Sequence, residues 1–450
     1  MFTSIFYRQP RLQLNKPTLI HQGPPKQFRL DTVRKVLDDN GKVRKWTYGE
    51  KDDRKQNKII LLVGETGAGK TTLINTMVNY LLGVKFEEEK GYEITEEAAS
   101  DQSESQTSEI TMYEVFPEKS YISLTIIDTP GYGDTRGLEK DLQVAENLAT
   151  LFQTNDGVRE IDAVCFVTQA SKNCLCDRQH YIISSILSLF GRDIVNNIVF
   201  LITHSDGLEP KNIIGAINKA KIPCRKDKRG QPVYFLFNNR QADTRENKER
   251  QIRAQRDAWE DSMDSVMHFL QSLDERNRIS LELTSDVLME RIRFEASICN
   301  LQLRIQEKES KKMCHHSKHV KENKKYIIST SSTMMEFDDF QKKYEKAQEQ
   351  TKRFSVIMDH LDKDLQELED QKLMLLYNAY KAIKNLSQIA LKPDSAFTLQ
   401  HLDFFIPRVR EARKEDWVRD LEKMKEKAVS EEANKDALSY LRAGLAKLNL

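Results

Sequence analysis

Three observations predict an α/β domain with a mixed, mostly parallel, doubly wound sheet, followed by an all-α region reading as a helical hairpin or coiled coil. The aliphatic run Lys58-Ile59-Ile60-Leu61-Leu62-Val63 leads directly into the glycine loop Gly64-Glu65-Thr66-Gly67-Ala68-Gly69-Lys70-Thr71-Thr72. Further strand-like runs then alternate with helix-length segments, the pattern of parallel strands joined by crossover helices. From Arg276 onward Glu, Lys, Gln and Leu dominate and strand-like runs cease. The expected division is a lead-in over 1–57, a nucleotide-binding domain over 58–275 and a helical region over 276–450.

The lead-in is polar, carries Pro10, Pro17, Pro24 and Pro25, and is expected to start loosely ordered. Val36, the turn Asp38-Asp39-Asn40-Gly41, and then Val43, Trp46 and Tyr48 read as a hairpin against the edge of the following domain.

Gly64–Thr72 matches G-x-x-x-x-G-K-[ST], the phosphate-binding P-loop. The strand before it and the helical spacing of Leu73, Ile74, Met77, Val78 and Leu81 after it, closed by Gly83, supply the required context. Strand, loop and helix N-terminus together aim backbone N–H groups at an anion. Gly64, Glu65, Thr66, Gly67, Ala68, Gly69, Lys70, Thr71 and Thr72 are the expected cradle of a nucleoside triphosphate. Lys70 would reach the β and γ phosphates, and the Thr71 hydroxyl would ligate Mg²⁺.

The acidic, Ser- and Gln-rich stretch Phe86–Glu109 suits a switch loop that orders only around a γ-phosphate and Mg²⁺. Thr107 is the expected hydroxyl closing over the metal, with Ser108 and Thr111 as alternatives and a plain surface threonine as the ordinary reading. Thr111–Phe116 and Tyr121–Ile127 read as a hairpin whose second strand ends in Asp128-Thr129-Pro130-Gly131. Asp128 would hold the Mg²⁺ water shell, and the N–H of Gly131 would meet the γ-phosphate because no side chain blocks its approach. Lys70, Thr107 and Gly131 are thus the expected catalytic contacts. The next residue is Tyr132, where many small GTPases carry a water-orienting glutamine; a tyrosine cannot do that work.

A helix over Leu138–Thr154, a strand over Asp162–Thr168, a helix near Gln179–Leu189 and a strand over Asn197–Thr203 continue the alternation. The last strand ends in Thr203-His204-Ser205-Asp206. A carboxylate there can accept from guanine N1–H and N2–H₂, a donor pair that adenine lacks; an ordinary loop aspartate is the alternative. His204 would pack along the base. After the strand Val233–Phe237, Asn238 or Asn239 could contact the base, unless the pair only forms a turn. A charged helix over Glu246–Leu273 closes the domain.

The set GETGAGKTT, DTPGYGD, THSD and FNN resembles the septin-like branch of the translation-factor-related GTPases, and most of all the AIG1-type, immunity-associated (GIMAP-like) GTPases. The resemblance covers about residues 58–275. It implies Lys70 and Thr71 on phosphate and Mg²⁺, Thr107 as switch hydroxyl, Asp128 and Gly131 on the γ side, and Asp206 with Asn238 on guanine. It further implies GTP and GDP as ligands, hydrolysis of GTP, and assembly of two copies through the nucleotide face, which would account for the missing glutamine. A non-catalytic, GTP-dependent scaffold whose helices recruit partners is the second reading. An ATPase would require Asp206 to be accidental.

Bulk numbers narrow the alternatives. A net charge of +1 offers no global field for nucleic acid or membrane. No run approaches the ~20 apolar residues of a membrane span, and the opening Met1–Arg8 is too short for a signal peptide. Six cysteines without framework spacing, Cys174 and Cys176 among them, indicate reduced thiols and a cytoplasmic protein.

In the back half, apolar residues recur at helical spacing over Leu281–Ile305 and again over Phe354–Leu386. Reversals are expected near Lys308–Glu322 and at Lys392-Pro393-Asp394, giving antiparallel helices, with an intermolecular coiled coil as the rival. Residues 410–450 read as a final amphipathic piece. Cys314, His315, His316 and His319 have metal-ligand types but no zinc spacing, and the lysines around them are diluted by Glu307, Glu309 and Glu322; a solvated turn is the plain reading of both.

Overall fold

The computed structural model describes residues 16–96, 109–132, 138–171, 176–245, 248–327 and 337–447. Backbone contacts divide the chain into two compact units, one of residues 1–289, 387–400 and 425–450, the other of residues 290–386 and 401–424.

In the first unit, β1 (Thr18–His21) and β2 (Lys26–Arg29) pair antiparallel, and β3 (Val33–Val36) and β4 (Val43–Gly49) form the hairpin expected around Asn40-Gly41. The buried strand β5 (Gln56–Gly64) runs into the glycine loop, and α1 (Lys70–Leu81) follows. Leu73, Ile74, Met77, Val78 and Leu81 are buried, one stripe at helical spacing that packs on the sheet.

The acidic stretch after α1 is not structureless at its start, as expected from composition. Lys90–Glu93 forms β6, which pairs parallel with β2. The cause is tertiary: Asn79 of α1 donates to the Tyr92 carbonyl at 2.8 Å and accepts from its N–H at 2.8 Å, in the manner of a neighbouring strand. Asn75 likewise accepts from Ile94 N–H at 3.0 Å. The expected switch hydroxyl Thr107, and Ser108 beside it, lie outside the described residues.

Next come β7 (Ile110–Phe116), β8 (Ile122–Asp128), α2 (Leu138–Gln153), β9 (Glu160–Ile161), β10 (Ala163–Gln169) and α3 (Asp177–Leu187). They are followed by β11 (Ile198–Thr203), α4 (Lys211–Lys219), β12 (Tyr234–Leu236), α5 (Glu249–Ser272) and β13 (Ile279–Ser280). The central sheet has the order β12-β11-β10-β5-β8-β7-β4-β3. Its strands from β12 to β8 are parallel and β7 is antiparallel to β8, so the sheet is mixed and mostly parallel, as predicted. Val266, Phe269 and Leu270 of α5 share one cluster with Met77 and Val78 of α1. At the amino end of the strands the buried Asp162 holds Arg278 through two contacts of 3.1 and 2.9 Å and accepts from Ile59 N–H at 2.7 Å.

Four of the five remaining helices contribute to the second unit: α6 (Glu282–Ile327), α7 (Phe337–Ile389), α8 (Ala396–Glu411) and α9 (Glu415–Ser430). The final helix, α10 (Glu432–Lys447), belongs to the first unit, where Tyr440 meets Tyr181 of α3 at 5.4 Å. The reversal expected over Lys308–Glu322 does not occur. The stretch holds neither glycine nor proline, and its Lys, Glu and Met favour helix, so α6 runs through it. Asn385 late in α7 donates to Glu290 early in α6 at 3.2 Å, the pairing of antiparallel helices. The reversal expected at Lys392-Pro393-Asp394 does occur, between α7 and α8. In this unit Phe294 packs edge-on against Phe405 and His401, and Tyr380 stacks on Trp417 at 4.7 Å. Cys314, His315, His316 and His319 fall within α6, where only the backbone is described. Among the described residues, no helix is long and apolar enough to cross a membrane.

Candidate functional site

Parallel strands deliver their carboxyl ends to one edge, and the predicted residues other than Thr107, which lies outside the described residues, stand at that edge. Gly69 adopts φ 90° at the N-cap of α1, and no side chain caps the first turn. A helix start left uncapped this way presents orphan N–H groups to an anion. Gly64 is required for another reason: a Cβ there would lie 2.4 Å from the Val167 carbonyl of β10.

Lys70 is buried and folds its Nζ back onto the Gly64 and Glu65 carbonyls at 3.1 and 3.3 Å. Burial pushes its ammonium below the usual lysine range, against the opposing pull of Asp128 and Glu65. Asp128, at the end of β8, is 1% exposed, and burial pushes its carboxyl up to about 6 in spite of Lys70. Its Oδ1 is buried without a hydrogen-bond partner. A carboxylate so placed is expensive unless a cation or donor arrives. The donor set fits Mg²⁺ with phosphate: a hydroxyl at Thr71, an unsatisfied carboxylate at Asp128 and a lysine beside them.

The Asp128–Gly131 turn touches the P-loop directly. Thr129 Oγ1 donates to the Leu62 carbonyl at 2.9 Å, and Tyr132 N–H donates to the Gly64 carbonyl at 3.1 Å. A Cβ on Gly131 would stand 2.4 Å from Thr66 Oγ1 and 2.6 Å from Thr66 Cα. Glycine is therefore demanded here by contact with the loop itself, beside any need to admit a phosphate. Tyr132 is 1% exposed, a packed residue rather than one reaching toward solvent.

The base-side residues are tied to the same loop. Thr203 Oγ1 donates to the Ala68 carbonyl at 2.7 Å, and His204, at φ 53°, stands beside Gly69. Asp206 is exposed, and one carboxylate oxygen accepts from Leu208 N–H at 3.0 Å in a local turn. Asn238 is half-buried and anchored through its backbone to Ser262 Oγ at 3.2 Å, while Asn239 Oδ1 is buried without a partner. The pair thus remains two candidates for the base.

Two contacts escaped sequence reasoning. Gln169, the last residue of β10, donates from Nε2 to the Gly67 carbonyl at 2.9 Å. Arg178 in the first turn of α3 meets Glu65 at 3.3 Å. The only sequence signal for either was position, at or just after the carboxyl end of a strand.

The AIG1 family model matches residues 58–255, from β5 into α5. Among curated proteins none matches the sequence. Solved structures with a similar arrangement include a dimerisation-deficient variant of Toc33 from Arabidopsis thaliana, 16% identical, covering 47% of this chain and 85% of that one at a TM-score of 0.29. Toc33 from Arabidopsis thaliana in complex with Mg²⁺ and GMPPNP is 14% identical, covering 48% and 86% at a TM-score of 0.30. A structure of the chloroplast translocon components atToc33 and psToc159, described by the importance of dimerisation for their GTPase activity, is 18% identical, covering 47% and 84% at 0.32. The chain carries an AIG1-family P-loop GTPase domain at residues 58–255.

Proposed function

We propose that this domain binds GTP with Mg²⁺ and hydrolyses it to GDP and phosphate, its turnover completed when two copies meet through the nucleotide face. The observation that carries the reading is the buried, unpartnered Asp128 Oδ1 beside a buried Lys70 and an uncapped helix start. Each is a cost to the chain by itself that a nucleotide with its metal would offset.

In this reading the P-loop amides and Lys70 hold the β and γ phosphates, and Thr71 and Asp128 hold the metal. Thr107 is the proposed switch hydroxyl. Mg²⁺, when bound, neutralises charge on the phosphate oxygens. Lys70 must leave the Gly64 and Glu65 carbonyls to do its work, which frees two acceptors of the loop. Asp206, with Asn238 or Asn239, selects guanine. Water attacks the γ-phosphorus in line and gives up its proton to an oxygen of the phosphate being released, while the bond to the β-bridging oxygen breaks and negative charge passes to GDP. Tyr132 is buried and bonded to the P-loop through its backbone, so it does not position that water. A group from a second copy is the proposed substitute.

The same Tyr132 observation favours one rival, a GTP-dependent scaffold that scarcely turns over and recruits partners through its helices. GTP turnover per molecule, followed over a wide range of protein concentration with Lys70→Ala as the blank, separates the two. A specific rate that climbs with concentration supports completion across a dimer. A rate flat and equal to the blank, with GTP still bound, rejects hydrolysis and leaves the scaffold.

A further inference from the structure

A groove of about 1070 Å³ lies within the first unit, between α3, α4, the Leu391–Asp394 turn and the start of α10. None of its lining residues belongs to the P-loop, the Asp128–Gly131 turn or the Thr203–Asp206 strand end. Its size is just above the usual range for small-molecule sites.

The two walls differ in what they leave free. On one side stand Lys211 and Lys219 of α4, with Lys221 just beyond it, all exposed and without an ion pair among the described residues. Between them the wall is open at Gly215, where a Cβ would meet nothing within 4 Å. On the other side the carboxylates are already engaged. Lys392 meets Asp394 at 3.6 Å and Glu431 at 3.5 Å, and His180 meets Asp436 at 3.0 Å.

Two deeply buried polar side chains line the groove with an atom unused. Ser184 is 3% exposed, and its Oγ has no hydrogen-bond partner. Asn434 is 1% exposed and donates from Nδ2 to Asp394 Oδ2 at 2.7 Å, to the Ala428 carbonyl at 2.9 Å and to Glu431 Oε2 at 3.3 Å. Those three acceptors fix the amide orientation and leave Asn434 Oδ1 without a partner. Buried polar atoms are satisfied in most folds, so two in one groove mark a place for a ligand.

We propose that this groove binds a small organic phosphate bearing hydroxyl groups, the class of sugar and polyol phosphates. The phosphate answers the free lysines, which a neutral ligand would leave unused. Hydroxyls suit the interior, because they can donate to Asn434 Oδ1 and either donate to or accept from Ser184 Oγ. An amine would find no free carboxylate there.

Calorimetric titration of the full chain with glucose 6-phosphate and myo-inositol hexakisphosphate, against glucose, myo-inositol and inorganic phosphate, tests this. At least one phosphorylated polyol should bind roughly tenfold more tightly than inorganic phosphate or its own polyol. The double variant Lys219→Gln/Lys221→Gln alters only exposed side chains and should weaken that binding by about tenfold while GTP binding is unchanged. Ser184→Ala should weaken it several-fold. Lys70→Ala should leave it intact, which separates this groove from the nucleotide site whatever becomes of the GTPase reading. Absence of binding by both phosphorylated probes, equal binding of inorganic phosphate, indifference to the lysine change, or loss in Lys70→Ala would each overturn the proposal.

Discussion

Two buried aspartates sit at opposite ends of the same sheet. Asp162, before β10, gives both oxygens to Arg278 and a backbone N–H, and its side chain is 0% exposed. Asp128, the last residue of β8, is as deeply buried, yet keeps one oxygen unsatisfied and a pKa raised to about 6. The first is complete within the folded chain and holds it together. The second is complete only when something else arrives. Burial alone does not tell the two apart; the hydrogen-bond inventory does.

That contrast can be broken by substitution. Asp162→Ala leaves Arg278 and the Ile59 N–H without their carboxylate, and should cost about 3–5 kcal/mol in chemical denaturation. A loss below 1 kcal/mol would remove Asp162 from the framework. A pH effect is expected in the helical unit, where burial pushes His401 down to about 4 from 6.5. The unfolded chain then binds a proton that the folded chain refuses. Stability is complete above pH 6.5 and falls as the pH drops toward 4, by up to about 3 kcal/mol. His401→Phe should flatten that slope in denaturation curves taken over the window, and an unchanged slope would contradict the assignment. Asn79→Ala strips the Tyr92 backbone of both its bonds to α1 and should cost about 2 kcal/mol. Protection of the Tyr92 amide in hydrogen exchange should fall with it. The smallest stability change is expected at the functional aspartate: Asp128→Asn should leave stability within about 1 kcal/mol or raise it, because it removes a charge that burial disfavours. The same variant should bind GTP with Mg²⁺ at least roughly tenfold more weakly.

The sequence made the phosphate end legible because glycine spacing, a strand-ending aspartate and T-H-S-D are local signals. Gly64 to Thr72, Asp128, Gly131 and Thr203 could each be named before the sheet brought them to one edge. Alternating aliphatic runs likewise revealed the mixed sheet. What stayed hidden depends on distant partners. Nothing near Asp162 announces Arg278, which lies 116 residues away. The strand Lys90–Glu93 looks like an acidic loop until Asn79 supplies its hydrogen bonds. A reversal is expected near Lys308–Glu322, but a charged stretch without glycine or proline is compatible with helix, and α6 continues. Gln169 and Arg178 reach the P-loop from residues that carry no motif.

The most direct test of the central claim is the shift of the thermal unfolding midpoint on adding GTP with Mg²⁺, measured beside ATP with Mg²⁺ and repeated for Lys70→Ala. If Asp128 and Lys70 are held ready for a guanine nucleotide, GTP raises the midpoint in the native chain, ATP does so far less, and Lys70→Ala shows no shift. An equal shift with ATP, or a full shift in Lys70→Ala, would contradict the assignment.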